Sequence, residues 1–134
     1  MLLQIDHHSG VPIYRQLINQ VRRQIMAGQL VEGEQLISVR ELADQLRVNP
    51  MTVSKAYALL EVERLLERRR GIGLFVAGIE KEHGARTKTR LLKETLEKAV
   101  LTAVQFGIPQ RKVGEMLAEL YTKYNSQTRS RSNE

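Results

Sequence analysis

The stretch from Ser38 to Val76, SVRELADQLRVNPMTVSKAYALLEVERLLERRRGIGLFV, decides the fold. Ser38 is a good helix N-cap, and Glu41 three residues later completes a Ser-x-x-Glu capping box, which satisfies free amide donors at a helix start. Apolar residues then recur at helical spacing. This pattern predicts a first helix from about Val39 to Leu46 with one face directed into a core.

A second helix is predicted from Pro50 to about Glu63. Asn49 caps well, and proline at the first helical position loses no needed donor. The apolar side consists of Val53, Ala56, Tyr57 and Leu60. The opposite side is small and weakly charged, with Met51, Thr52, Ser54, Lys55 and Ala58. Such a face suits a helix that lies in a DNA major groove, although a solvated face in an ordinary helical domain would look similar.

A small hairpin follows these helices. Leu65–Arg69 and Leu74–Ala77 are strand-like, and they flank the turn Arg70-Gly71-Ile72-Gly73. Arg68, Arg69 and Arg70 make its tip basic. Gly71-Ile72-Gly73 could also suggest a loop that binds nucleotide phosphates, but that match is weak because no strand-loop-helix pattern surrounds it. A basic wing that reaches a phosphate backbone or a minor groove fits better, so the stretch predicts a helix-turn-helix with a wing.

These motifs resemble the GntR family of bacterial winged-helix transcription regulators, and in particular its short YtrA-like branch. The resemblance covers about Ile5 to Gly78 and rests on Pro12-Ile13-Tyr14, Gln16-Leu17, Gly28-Gln29-Leu30, Gly33, Leu36, Ser38 to Ala43, Asn49 to Val53 and Gly71 to Val76. Two residues depart from the family pattern. Ile37 replaces a usual proline, and Arg64 replaces a glycine that commonly ends the second helix. If Arg64 is left-handed, it costs about 1 kcal/mol relative to glycine.

The resemblance implies a mostly α fold with a β-hairpin wing, and a dimer that binds double-stranded DNA. The expected function is a repressor whose pseudo-palindromic operator has half-sites about 10 bp apart. Pro50 stands where many relatives carry a base-contacting arginine, so base readout would depend on Asn49, Thr52, Ser54 and the methyl-facing Met51, a relatively apolar set. The full set of expected DNA-binding residues is Ser38, Arg40, Asn49, Pro50, Met51, Thr52, Ser54, Lys55, Arg68, Arg69, Arg70, Gly71, Ile72 and Gly73. The alternative is a winged-helix scaffold that binds proteins without specific DNA binding.

Composition limits the other functions. The 134 residues leave no room for a large catalytic domain, and the absence of cysteine excludes disulfides and thiolate metal sites. We therefore expect no enzyme activity, catalytic residue, metal or cofactor, and treat His7 and His8 as surface residues. The net charge is +6, but residues 1–78 carry ten basic and eight acidic residues against eleven and seven in residues 79–134. Without a signal-peptide pattern or a membrane-length apolar run, the expected location is the cytoplasm.

Helices are also predicted on both sides of this module. Pro12 opens a core helix that stops near Gly28, with Arg15, Arg22 and Arg23 solvated. Residues 1–78 would form the DNA-binding domain, and 78–88 would be a linker without apolar periodicity. Two helices within 79–124, separated at Gly107-Ile108-Pro109, would form a dimerisation arm. Residues 125–134 would be a disordered basic tail.

The arm is too small to form a core alone, because two helices in under fifty residues usually need a partner subunit. Its first helix also has apolar residues on two sides. A homodimer would cover the second side. The expected dimerisation residues are Leu92, Leu96, Val100, Leu101, Val104, Leu117, Leu120 and Tyr121. A small-molecule effector is possible in principle, but no residue identifies one.

Overall fold

The computed structural model describes the backbone of residues 1–132 and the side chains of residues 1–127. The chain divides into two compact units, which are Met1–Lys88 and Thr89–Glu134. The elements in chain order are α1 (Ile13–Met26), α2 (Val39–Leu46), α3 (Pro50–Val62), β1 (Leu66–Arg69), β2 (Gly73–Val76), α4 (Lys81–Gln105) and α5 (Gln110–Ser132). Within residues 1–132, no helix has both the length and the apolar character needed to cross a bilayer.

The first unit is a winged helix-turn-helix, as predicted. Helices α1 and α2 pack against α3, and β1 follows α3 directly. One apolar cluster holds these elements together; its fully buried members include Leu17, Val21, Val53, Tyr57, Leu60 and Leu65. The local capping signals place α2 and the start of α3 as predicted, because each of these helices begins at a side-chain cap.

The wing is an antiparallel hairpin in which Leu66 pairs with Val76 and Arg69 with Gly73. The connector between α1 and α2 adds to it, since the Leu36 amide donates to the Leu74 carbonyl at 2.8 Å and the Val76 amide donates to the Glu34 carbonyl at 2.8 Å. The hairpin therefore gains a third extended segment. Leu74, Phe75 and Val76 are all buried.

The predicted linker 78–88 is wrong from Lys81 onward, because α4 begins there. The residues of this segment that are turned inward are partly polar, so a search for apolar residues at helical spacing does not detect the helix. Ile79 packs against the core cluster, the His83 Nε2 lies 3.2 Å from the Glu63 carbonyl oxygen, and Thr87 is buried. His83 and Thr87 are four apart and fall on one face of α4, while Ile79 lies just before the helix. The first unit accordingly ends at Lys88, ten residues beyond the predicted boundary at 78.

The second unit contains the rest of α4, a turn at Gly107, and α5. Its eight predicted dimerisation residues are all exposed in the single chain: Leu92, Leu96, Val100, Leu101, Val104, Leu117, Leu120 and Tyr121. Helix α5 continues through Ser132, where composition predicted a disordered tail from 125. Short local bonds, such as the one from the Ser126 hydroxyl to the Thr122 carbonyl at 2.9 Å, accompany this continuation. Asn133 and Glu134, also in the predicted tail, lie outside the described residues.

Candidate nucleic-acid interface

Helix α3 is buried on one side and open on the other. Val53, Ala56, Tyr57 and Leu60 are in the core, whereas the Met51 side chain is 78% exposed. Ser54, Lys55 and Ala58 are exposed as well. The first unit thus presents the small, weakly charged face that the sequence singled out.

Both helices of the motif are capped by the residues expected to approach DNA. The Ser38 Oγ accepts a hydrogen bond from the Glu41 amide at 3.2 Å, and the Asn49 Oδ1 accepts one from the Met51 amide at 2.9 Å. A serine hydroxyl that accepts this bond can still donate its proton to a phosphate. The Asn49 Oδ1 keeps a second lone pair and the NH₂ group keeps both of its donors, so the cap fixes the orientation of this side chain without using up its hydrogen-bonding groups.

Five of the predicted DNA-binding residues line a single cavity of about 230 Å³ between the start of α2, α3 and the wing: Ser38, Ser54, Arg68, Ile72 and Gly73. The buried Tyr57 lines it too, and its hydroxyl donates to the Ile37 carbonyl at 2.9 Å. Burial raises the pKa of the Tyr57 phenol above its ordinary value. The remaining nine predicted residues lie outside this cavity: Arg40, Asn49, Pro50, Met51, Thr52, Lys55, Arg69, Arg70 and Gly71.

Three of the candidate cations are held by neighbouring side chains. The Lys55 Nζ lies 3.9 Å from the centre of the Tyr14 ring, and the Arg69 guanidinium lies 4.0 Å from that of the Phe75 ring. The Arg68 Nη2 pairs with the Glu61 Oε1 at 3.2 Å. Among the side chains of residues 1–127, Arg70 has no such contact, so the three consecutive arginines stand in three different environments.

The wing tip is held by the connector. The Gln35 Nε2 donates to the Ile72 carbonyl at 3.1 Å. A Cβ added at Gly73 would lie 3.0 Å from the same Gln35 Nε2, and the φ of Gly73 is 142°, a value that side chains rarely adopt. The positive φ therefore favours glycine at this end of the turn, and an added Cβ would also displace the Gln35 amide from the Ile72 carbonyl.

Four contributors to this surface are absent from the predicted set: Tyr14, Gln35, Glu61 and Tyr57. Tyr14 belongs to the Pro12-Ile13-Tyr14 motif that carried the family resemblance; it packs against the core cluster and also holds Lys55. Arg22, expected to be solvated, pairs with Glu63 through the Glu63 Oε2 at 2.9 Å, with both side chains less than one fifth exposed. Most of these contacts join residues twenty or more positions apart, and the contact of Glu61 with Arg68 joins a helix to a strand, so no local sequence pattern predicts them.

Among the described residues, no group of three His, Cys, Asp or Glu side chains is arranged to hold a metal ion. His7 and His8 are exposed, and His83 is occupied with Glu63.

Comparison with known proteins gives consistent matches. The family of bacterial regulatory proteins named gntR matches residues 13–76. The HTH-type transcriptional repressor YtrA of Bacillus subtilis (strain 168) is 37% identical over 119 residues, which span 89% of this chain and 92% of that protein. These matches confirm the predicted family and its YtrA-like branch.

Solved structures agree with the fold. A GntR family transcriptional regulator from Listeria monocytogenes superposes with a TM-score of 0.73 at 30% identity, covering 86% of this chain and 98% of that one. The structure of AraR(DBD) in complex with operator ORX1 superposes with a TM-score of 0.51 at 25% identity, covering 57% of this chain and 96% of that one. The predicted winged helix-turn-helix architecture is thereby confirmed.

Proposed function

This chain belongs to the gntR family of bacterial regulatory proteins, and on that premise we propose that it is a dimeric, sequence-specific DNA-binding repressor. Regulators of this family are DNA-binding proteins and not enzymes, so the expectation of no catalytic activity is confirmed at the level of the family. Helix α3 would enter the major groove, and the wing would contact the adjacent backbone or minor groove.

One observation carries this proposal. The outward face of α3 is low and exposed, and cationic groups lie beside it: Lys55 over Tyr14 of α1, and the wing arginines, of which Arg68 is paired with Glu61 and Arg70 has no such contact among residues 1–127. A groove lined by two phosphate rows needs a protein surface of this kind, with a central ridge that contacts bases and lateral charges that contact phosphates. The AraR(DBD) structure, which is bound to its operator, adds a relative of the same fold with DNA as its partner.

The dimer is supported by the arm. Its apolar side chains are exposed in the single chain, including Val104 and Tyr121. Soluble proteins seldom leave so many large apolar groups uncovered on one small unit, and a twofold partner would bury them. Two recognition helices related by that symmetry would bind the two halves of a pseudo-palindrome about 10 bp apart.

Repression is proposed from the likeness to YtrA, which is named a repressor and matches along nearly its whole length. For an effector the arm offers an apolar groove of about 390 Å³, lined by Leu92, Leu96, Leu117, Leu120, Tyr121, Tyr124 and Asn125. Its volume lies within the range of small-molecule sites, but the same residues are the expected dimer contacts. We therefore assign the groove to dimerisation first.

Selection of bound fragments from random duplex DNA tests the proposal. We expect a pseudo-palindrome to be recovered, and its affinity to fall steeply as salt rises, because each neutralised phosphate releases counterions. Specific sites should bind about 10³-fold or more tightly than unrelated duplex. A protein-binding scaffold would recover no preferred sequence and show no such ratio.

Two substitutions test the residue assignments on the selected duplex. Arg40→Ala and Lys55→Ala should each weaken binding by about 1 to 3 kcal/mol if they make good base contacts. Glu82→Ala is a matched control, since Glu82 is an exposed charged residue outside the predicted set. If Arg40→Ala and Lys55→Ala both bind with unchanged affinity, these two residues do not contact bases. The proposed DNA-binding function would still stand.

A further inference from the structure

We propose that helix α3 reads the C5-methyl groups of thymine through an apolar ridge formed by Met51, Ala58 and Val62, so that the operator half-site contains thymines at positions facing this ridge. The inference rests on the proposed function and names the bases that the same surface would select. The sequence already predicts that Met51 faces a methyl group; the inference extends this single residue to a line of three apolar residues along the helix.

The ridge is a continuous line on the exposed side of α3. Its members are seven and eleven residues apart from Met51, which correspond to about two and three helical turns. Met51 is 78% exposed and Val62 79% exposed, and Ala58 between them is also exposed. Single exposed apolar residues are common on protein surfaces and need no explanation. Three of them in line on the exposed face of the helix proposed to bind DNA indicate a binding surface.

The polar residues beside the ridge are occupied in holding the helix. The Asn49 Oδ1 caps α3 through the Met51 amide at 2.9 Å, the Lys55 Nζ rests 3.9 Å from the Tyr14 ring centre, and Glu61 pairs with Arg68. Thr52 is half-buried. Ser54, which lines the cavity next to the wing, is the exposed hydroxyl left on the helix for base contact.

Charge complementarity identifies the occupant of the ridge. The ridge is apolar, but Lys55 beside it keeps its positive charge over the Tyr14 ring, and at the wing tip the exposed Arg70 has no ion pair or ring contact among the side chains of residues 1–127. An apolar protein partner would not require these cations, whereas a major groove presents bases between two phosphate rows. Within that groove the thymine methyl is the apolar group on a base edge, and it marks A·T pairs.

The test uses the duplex recovered by selection, resynthesised with deoxyuridine in place of thymine at one position at a time. This change removes a single methyl group and leaves every hydrogen-bonding group of the base in place. We expect binding to fall about fourfold at each contacted thymine, the factor that corresponds to one buried methylene-sized group, and to stay unchanged at thymines outside the half-sites.

A second set of measurements assigns the effect to the ridge. In Met51→Ala the ratio of thymine to uracil affinity should fall towards one at the position that Met51 contacts. Val31→Ala is the matched control, because Val31 is an exposed apolar residue outside the predicted interface and should keep the wild-type ratio.

The outcomes are distinct. If selection recovers no preferred duplex, the proposed function fails and this inference fails with it. If a duplex is recovered but no uracil substitution weakens binding, or if Met51→Ala keeps the full thymine preference, the regulator stands and the ridge is not a methyl reader. Because the substitution is made in the DNA, the first measurement does not depend on the folding of any variant.

Discussion

Replacing Arg64 with glycine should stabilise the winged unit, because Arg64 occupies a left-handed position at the end of α3. Its φ is 65°. The Arg64 amide donates to the Glu61 carbonyl at 3.0 Å and the Leu65 amide to the Leu60 carbonyl at 3.0 Å, the bond pair of a Schellman motif. Leu60 and Leu65 are both fully buried, which adds the apolar contact that often accompanies this motif.

Other helix ends in this chain show what residue the position prefers. Gly28 follows the end of α1 and Gly107 follows the end of α4. Their φ values are 77° and 69°, and the amides there make hydrogen bonds that correspond to those at Arg64 and Leu65. Helix α2 ends with Arg47 at φ 56°. A side chain in this region costs about 1 to 2 kcal/mol, and the greater freedom of glycine in the unfolded chain offsets about 0.5 to 1 kcal/mol of the gain. The net expectation for Arg64→Gly is a stabilisation of about 1 kcal/mol.

Urea denaturation at fixed protein concentration measures this difference, and thermal unfolding should shift upward by about 4 to 8 °C for a unit of this size. Arg64→Ala is the matched control, since it removes the same exposed side chain but keeps the Cβ that causes the strain. We expect no gain from it. A stabilisation as large in the alanine variant would show that the arginine side chain, and not the backbone conformation, was at fault. Destabilisation by glycine would refute the reasoning altogether.

Three further outcomes are expected. Tyr57→Phe should cost about 1 to 3 kcal/mol in urea denaturation, because the Ile37 carbonyl loses its buried donor. Since burial raises the pKa of Tyr57, the wild type should lose stability as pH rises above about 10, where the unfolded chain releases this proton and the folded chain keeps it, and Tyr57→Phe should lose that part of the dependence. Arg70→Gln should weaken binding to all duplexes alike and lower the salt slope by about one, which a salt titration measures; an unchanged slope would exclude a phosphate contact. Arg22→Ala should destabilise the first unit by about 1 to 3 kcal/mol by leaving Glu63 without this half-buried partner, whereas Arg15→Ala, at an exposed site, should change stability by less than about 0.5 kcal/mol.

Much of the first unit follows from signals that act within a few residues. Ser38 with Glu41 and Asn49 with Pro50 place two helix starts, because a cap depends only on the side chain and the amides two or three positions ahead. Gly28 and Gly107 mark helix ends for a similarly local reason. Apolar spacing identifies the buried side of α3, including Val53 and Leu60.

Other features could not be predicted in this way, because they join residues that are distant in sequence. Helix α4 begins at Lys81 since Ile79, His83 and Thr87 fit against the first unit, and two of these residues carry no apolar signal. The ion pair of Arg22 with Glu63 spans forty-one positions, and that of Arg68 with Glu61 joins a strand to a helix. The left-handed Arg64 is tolerated because the buried Leu60 and Leu65 on either side of it stabilise this helix end.

The sequence by itself therefore determined where the helices of the motif start, which side of α3 is apolar, and that a basic glycine turn follows it. Tertiary structure decided which charged groups on that surface are free: it holds Lys55 against Tyr14 and Arg68 against Glu61, and it leaves Arg70 without such a contact among the side chains of residues 1–127. The physical reason is the range of the interactions. Backbone caps and periodicity are encoded residue by residue, whereas the availability of a side chain for a partner depends on which distant neighbours folding brings within about 4 Å of it.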